Sequence, residues 1–305
     1  MANIQLLFGP MLIGAFLNMI LYGVVVAQMF TYYQSCKNDS LWIKNLVFYL
    51  FITETINTGL DMAVMYEPLV IKFGTDESTT FFPLMLASGP IMIIAVSTPV
   101  QLFIAWRIMK ISKSNFVSGT ISILAATSCA GGIWTAITIS LIRRFDRKSE
   151  IRPPALLWFV TAAAADILIT ATLTRFLYKR KTGYAKTDSA ISRIISLTLQ
   201  TGFITAIAAL ADLVFFLVLP HTNLNFIWEF ALTKLYSNSL MSTLNARAAW
   251  NYQLPNNGGN PLYAKSLPGG SERLHDTLPP VVNALSLSRR DDLYELEGRK
   301  SYPNL

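Results

Sequence analysis

Charge is the scarcest commodity in this chain: only 14% of its 305 residues are Asp, Glu, Lys or Arg, against 52% hydrophobic. Soluble domains carry nearer a quarter charged residues, so the deficit, with a mean hydropathy of +0.43, points to lipid as the main solvent. Cysteine is nearly absent: Cys36 and Cys129 exclude a disulfide framework. Cys36 follows the first apolar segment, where an idle thiol is a simpler reading than a palmitoylation site. The two histidines, His221 and His275, lie far apart and make no metal cluster. No phosphate loop, nucleophile elbow or carboxylate pair with enzyme spacing occurs, so neither an enzyme nor a cofactor is expected. The formal charge of +7 is not a nucleic-acid footprint. The tail from Asn251 to Leu305 has six basic and six acidic residues, so the excess lies in the first 250, with no basic soluble face.

What is present is a series of apolar runs, each near the ~20 residues needed to cross a bilayer. Seven are expected to span: Phe8–Tyr33, Asn45–Tyr66, Leu84–Ile108, Val117–Ile142, Ala155–Leu177, Ile194–Leu219 and Asn223–Ala246. The first follows "MANIQLL", which lacks a basic leader region, and it reads as a retained signal-anchor. With the N-terminus outside, the inner segments hold twelve Lys and Arg residues and the outer ones six, five of them in "RRFDRKSEIR". The bias favours a cytosolic C-terminus. The expected fold is thus an all-α integral membrane bundle of seven transmembrane helices, residues 1–250, most simply in the plasma membrane. Residues 251–305, rich in Pro, Gly, Asn, Ser and charge, read as a disordered cytosolic tail.

The seventh run, which leads into "TKLYSNSLMSTLNARAAW" (residues 233–250), poses the sharpest problem. An Asp or Lys at a helix centre costs roughly 2.5–3.5 kcal/mol on insertion, and each Leu, Ile, Phe or Val returns roughly 0.3–0.6. Eight such residues scarcely offset Glu229 and Lys234, so the helix needs neighbours to shelter it. At 100° per residue Lys234, Asn238, Met241 and Asn245 fall on one face, while Glu229 does not. Arg247 falls on the far side, near the inner end, where its stem can snorkel.

Other segments supply polar faces. In "TETINTGLDM", Glu54, Asn57, Thr58 and Asp61 recur at i, i+3, i+4 and i+7. Thr198, Thr201, Thr205 and Asp212 form a stripe in the sixth segment, and Asp166 sits mid-way along the fifth. Counting about 1.5 Å per residue puts Glu54, Asp166 and Lys234 at one depth, with Asp61 and Asp212 roughly 8 Å nearer the outside. Intramembrane charges at matching depth pair or line a wet cavity. The expectation is a polar chamber of Glu54, Asp61, Asp166, Asp212, Lys234, Asn238 and Asn245, with Glu54 as the partner of Lys234. Gly131–Gly132 and Ala125–Ala126 mark close helix packing, and Pro90 and Pro99 are expected to kink the third segment.

The blocks "GPMLIGAFLNMILYGVVVAQ", "QLFIAWRIMKIS" and "KLYSNSLMSTLNAR" resemble a fungal, largely basidiomycete, family that carries domain of unknown function 6534. The resemblance runs from Phe8 to Arg247, and its most specific part is Tyr236 to Arg247. It implies a multi-pass membrane protein and brings no assigned active site.

A receptor-like seven-helix sensor is the leading expectation, with a short outer N-terminus, a chamber opening outward and basic inner loops. A transporter or ion- or proton-coupled carrier is the alternative, because midplane carboxylates and a lysine suit a relay. A retinal protein is disfavoured, since Leu84–Ile108 holds no acidic counter-ion. The partners expected are the lipid bilayer, an unidentified small-molecule ligand or ion, and a cytosolic partner at basic loops such as "YKRKTGYAK".

Overall fold

Each of the seven apolar runs has the greater part of its length on a long helix. The computed structural model describes residues 4–36, 39–112, 115–142, 145–178, 185–219 and 222–253. Among them the long helices are α1 (Ile4–Ser35), α2 (Leu41–Tyr66), α4 (Ser88–Ser112), α5 (Asn115–Ile142), α6 (Arg152–Tyr178), α7 (Ala185–Val218) and α8 (Phe226–Gln253). A short helix, α3 (Asp76–Thr80), interrupts the α2–α4 connection, which also holds a π turn (Glu67–Ile71) and a 3-10 turn (Leu84–Ala87). Another 3-10 turn, Phe145–Ile151, precedes α6. The helices overshoot the apolar runs where polar sequence continues the same backbone: α7 begins nine residues before Ile194, in "AKTDSAISR". The tail beyond Gln253 and the loop 179–184 lie outside the described residues.

Sequential helices pack as neighbours, α4 on α5, α5 on α6, α6 on α7 and α7 on α8. The chain then closes on itself through α1 and α8. We call the end of the bundle that carries Ile4 the upper end. Contacts between α1 and α8 advance together down both helices, from Gly14 against Phe226 to Gln28 against Ser242. The two helices are therefore parallel. A Cβ added at Gly14 would lie 2.6 Å from the Phe226 carbonyl oxygen, so only glycine allows this approach. Gly131 plays the same part between α5 and α6, against the Trp158 backbone. Gly132 meets Ile94, and Ala125 is buried, so of the four small residues only Ala126, which is exposed, faces away from the packing.

The surface inverts the pattern of a water-soluble protein. On α1, Ile13, Phe16, Ile20 and Val24 are exposed, Ile20 at 65%, while Asn18 is buried at 1%. Similar apolar side chains (Ile123 and Leu141 on α5, Phe203 on α7) stand exposed on other helices. So large an apolar surface marks contact with lipid. Among the described residues four helical stretches are long and apolar enough to cross a membrane: Gln5–Ser35, Met85–Lys110, Asn115–Ile142 and Ser149–Phe176, with a shorter one at Gly202–Val218. The chain is a helical membrane protein. Helices α2 and α8 fall short on composition, because both carry charge into the interior. On α8 every residue from Glu229 to Lys234 is buried, and the helix packs on α1, α2, α4 and α7. It is an interior helix and does not need lipid-soluble side chains.

Two prolines inside helices show how backbone groups are satisfied without water. A proline removes the N–H that would bond the carbonyl four residues earlier. Pro99 frees the Ala95 carbonyl, and the Tyr49 hydroxyl of α2 donates to it at 2.9 Å. Pro10 frees Leu6, whose carbonyl accepts the Asn223 N–H at 3.3 Å. Pro90 sits in the first turn of α4, where an N–H has no helical partner anyway, so it is no kink site.

Candidate functional site: polar clusters on two faces of α8

The α2 stripe is fully internal: Glu54, Asn57, Thr58 and Asp61 are all buried. Their period aims them at α8 and α1. Lys234 Nζ donates to Glu54 Oε2 at 2.6 Å, to Asn57 Oδ1 at 2.7 Å and to the Glu54 carbonyl at 3.2 Å. Three acceptors thus match the three protons of an ammonium. The pair is sealed, with both side chains 0% exposed. The second Glu54 oxygen accepts the Ser237 hydroxyl at 2.5 Å. Asn57 Oδ1 also accepts from Thr233 at 2.9 Å. The Tyr22 ring lies 5.7 Å from Lys234 Nζ, within cation–π range.

Asn18 of α1 completes this cluster. Its amide donates to Asp61 Oδ2 and to the Phe230 carbonyl, both at 2.8 Å. Its Oδ1 accepts the Thr58 hydroxyl at 3.3 Å. One asparagine therefore ties α1, α2 and α8 together. Depth leaves Glu54 and Asp166 equally open to Lys234, and the usual nearness of the second and seventh helices in a ring of seven favours Glu54; nothing in the α1 sequence named Asn18, although it is an amide in the middle of an apolar helix.

Asp166 goes elsewhere. Its two oxygens accept the Tyr236 hydroxyl at 2.6 Å and the Gln101 amide at 2.9 Å. Tyr236 is two residues past Lys234, about 200° around the helix, so this α4–α6–α8 cluster occupies the opposite face. Asp166 matches Lys234 in depth but not in direction. Asp212 is buried at 0% on α7, which packs on α6 and α8. Thr205 is buried as well, while the side chains of Thr198 and Thr201 lie outside the described residues.

Asn238 and Asn245 turn to α1. Asn245 donates to the Gln28 carbonyl at 2.8 Å and Asn238 to the Leu21 carbonyl at 3.4 Å. Their Oδ1 atoms are buried without a hydrogen-bond donor. Both asparagines lie along the α1–α8 seam below Lys234. The seven residues expected in one chamber are thus divided among the α1–α2–α8 cluster, the Asp166 cluster, the seam and α7.

A cavity does exist, at the upper end. It lies where Phe82 and Leu86 of the α2–α4 connection and Ile151 of the 3-10 turn meet the ends of α4 to α8. Its polar side chains include Asn225 and Glu229, and none of the seven expected chamber residues lines it. Among the described residues no group of three or more His, Cys, Asp or Glu is placed to hold a metal.

Residues 162–249 match the model of a family of unknown function, DUF6534. The match runs from α6 into α8 and so takes in Asp166, Asp212, Lys234, Tyr236, Asn238 and Asn245. The first-helix block and "QLFIAWRIMKIS" lie outside it, as do Asn18, Glu54 and Asp61. The family segment therefore supplies one side of the ion pair and α2 the other. No curated protein and no solved structure matches the chain.

Proposed function

We propose that this DUF6534 protein is a seven-span receptor-like sensor, N-terminus outside and C-terminus cytosolic, in which Glu54–Lys234 is a lock between α2 and α8. The observation that carries the reading is α8 itself. It is buried on every side from Glu229 to Lys234, bonded to α2 and α1 on one face and to α6 on the other, where it also packs on α4, and reaches from the upper cavity to the lower seam. A shift of such a helix changes both ends of the bundle at once. Discrete repacking of an interior element is how small local events become global ones.

The parallel α1 and α8 support an odd number of crossings. Lys44, Arg107, Lys110 and Arg175 gather at the lower end, which supports a cytosolic assignment for it. Trp42 and Trp106, 5.2 Å apart at that end, suit a headgroup belt. Basic lower loops would then receive a cytosolic partner, and the plasma membrane is the natural site for a sensor of external ligands.

A carrier is the second reading, favoured by two carboxylates, Glu54 and Asp61, gathered about one lysine. The two are separated by spin labels at Lys110→Cys and Tyr178→Cys, on a Cys36→Ser/Cys129→Ser background in nanodiscs. The sensor reading expects Glu54→Gln/Lys234→Met to shift the distance between the lower ends of α4 and α6. An unchanged distance overturns it. Solute or proton uptake into proteoliposomes that fails in the same variant would establish the carrier.

A further inference from the structure

The cluster between α1, α2 and α8 holds two carboxylates, Glu54 and Asp61, and one ammonium, Lys234. All three are buried, Asp61 at 3% exposure and the other two at 0%. Lys234 directs its protons to Glu54 and Asn57, and none goes to Asp61. Ser237 donates to the second Glu54 oxygen, so both oxygens of that carboxylate are engaged. Asp61 has neutral neighbours instead. The Asn18 amide donates to its Oδ2 at 2.8 Å, and Asn57 stands one turn below it on α2. Among the described residues Asp61 makes no ion pair.

The charges around Asp61 can be counted element by element. Its own helix carries Glu54 two turns below, and the π turn above carries Glu67, which is paired with Lys72 at 3.0 Å. Helix α8 brings Lys234 and Glu229, and Glu229 has partners of its own, Asn225 among them. Helix α1 has no Asp, Glu, Lys, Arg or His; it brings Tyr22, one turn below Asn18, whose hydroxyl bonds Thr55 at 2.8 Å. On α4, residues 88–106 are equally free of charge, as is the 3-10 turn Leu84–Ala87. Setting Glu229 aside, two negative charges face one positive charge.

A carboxylate left uncompensated where water is excluded bears the full cost of its lost hydration, and the ordinary remedy is to take up a proton. A metal ion would also close the deficit, but it needs several oxygens with free lone pairs. Here the nearby oxygens already accept hydrogens: Asn57 Oδ1 from Lys234 and Thr233, the Phe230 carbonyl from Asn18, and Asn18 Oδ1 from Thr58. A proton needs a single lone pair. Acceptors for the resulting O–H are also at hand, since Asn57 Oδ1 and the Phe230 carbonyl lie 3.3 and 2.8 Å from the same Asn18 nitrogen that bonds Asp61.

We propose that Asp61 is a proton-binding site, which takes one proton from solvent and holds it as a neutral carboxylic acid while Glu54 stays ionised against Lys234. The site rests on the buried cluster and on neither functional reading. Under the carrier reading it names the ion that is moved, a proton.

Infrared spectroscopy of the full chain in nanodiscs tests this, because a protonated carboxyl group has a C=O stretch that a carboxylate lacks. In sodium-free buffer at neutral pH, a carboxylic-acid band is expected that shifts with isotopically labelled aspartate and is lost in Asp61→Asn. That component should persist in Asp166→Asn and in Asp212→Asn, which separates Asp61 from the other buried aspartates. It should persist as well in Glu54→Gln/Lys234→Met, where the lock is gone and Asp61 still has no cation, so failure of the sensor reading leaves it intact. Asp61→Glu keeps the acid and should transfer this component to labelled glutamate, which decides the question if Asp61→Asn does not fold. An acid band unchanged by Asp61→Asn, or one whose label sensitivity stays wholly with aspartate in Asp61→Glu, overturns the proposal. So does an Asp61-dependent band that sodium chloride abolishes and potassium chloride does not, since the cation held would then be sodium.

Discussion

The two faces of α8 solve the same problem in different ways. Toward α1 and α2 the helix presents a cation, Lys234, to the Glu54 carboxylate, whose other oxygen accepts the Ser237 hydroxyl, while Asn57 accepts from both Lys234 and Thr233. Toward α4 and α6 it presents only a phenol, Tyr236, and Asp166 is held by that hydroxyl and one amide. The first face has charge opposite charge in a dry site; the second has a carboxylate with neutral donors alone. A buried ion pair adds little over a well-packed apolar pair, but removing one partner strands the other. The α2 face is therefore the one that loss of a single charge would break, and the α4–α6 face lacks that liability.

The largest expected effect strands one charge. Lys234→Met or Glu54→Gln alone should destabilise by about 3–5 kcal/mol, and Glu54→Gln/Lys234→Met should recover the greater part. Unfolding in denaturant with the protein in detergent micelles, read as a double-mutant cycle, checks this. Near-additive losses would mean the pair is not the stabilising unit.

Packing on the same face is probed without touching charge by Gly14→Ala. Its methyl group meets the Phe226 carbonyl, and about 1–3 kcal/mol should be lost to overpacking. Gly23→Ala, with open space around it, is the matched control and should be neutral. Equal melting temperatures for the two variants would contradict the close α1–α8 crossing.

On the α4–α6 face, Tyr236→Phe should cost about 1 kcal/mol, the usual worth of a polar bridge between membrane helices. Because the two clusters share no hydrogen-bonding partner, its effect should add to that of Lys234→Met within about 0.5 kcal/mol. Strong coupling in the combined variant would show that α8 transmits between its faces in the resting state. The smallest effect, about 0.5 kcal/mol, is expected for Tyr49→Phe, which leaves the Ala95 carbonyl without its donor beside Pro99. Hydrogen exchange at the α2–α4 contact should rise locally, with the α8 clusters unaffected.

Much of this was legible in advance because helical period is a local property. The α2 stripe, the polar face of α8 and the depth of each charge follow from spacing alone, while the choice of Glu54 over Asp166 for Lys234 rests on the usual nearness of the second and seventh helices in a ring of seven. What spacing does not contain is the order of neighbours around α8. Asp166 shares the level of Lys234 yet faces Tyr236, because α6 and α4 approach α8 from the other side. Asn238 and Asn245 share a face with Lys234, but lower on that face the neighbour is the α1 backbone. On the proposed seven-span reading, composition alone also undersells α2 and α8, since an interior helix need not be apolar where its neighbours satisfy its polar groups. Asn18, Gln101 and the upper cavity become visible only when distant segments are brought together. The carbonyls freed by Pro10 and Pro99 are an intermediate case, since the sequence gives the vacancy but not the donor.

The central claim is that α8, despite its charges, crosses the membrane in the same direction as α1. An epitope tag at each terminus, with protease protection in sealed vesicles of known orientation, tests it directly. The account predicts opposite sides, with the tag after Leu305 on the cytosolic face and the N-terminal tag across the membrane from it. Both tags on one side would mean an even number of crossings, which contradicts the parallel α1–α8 pair and with it the buried lock between Glu54 and Lys234.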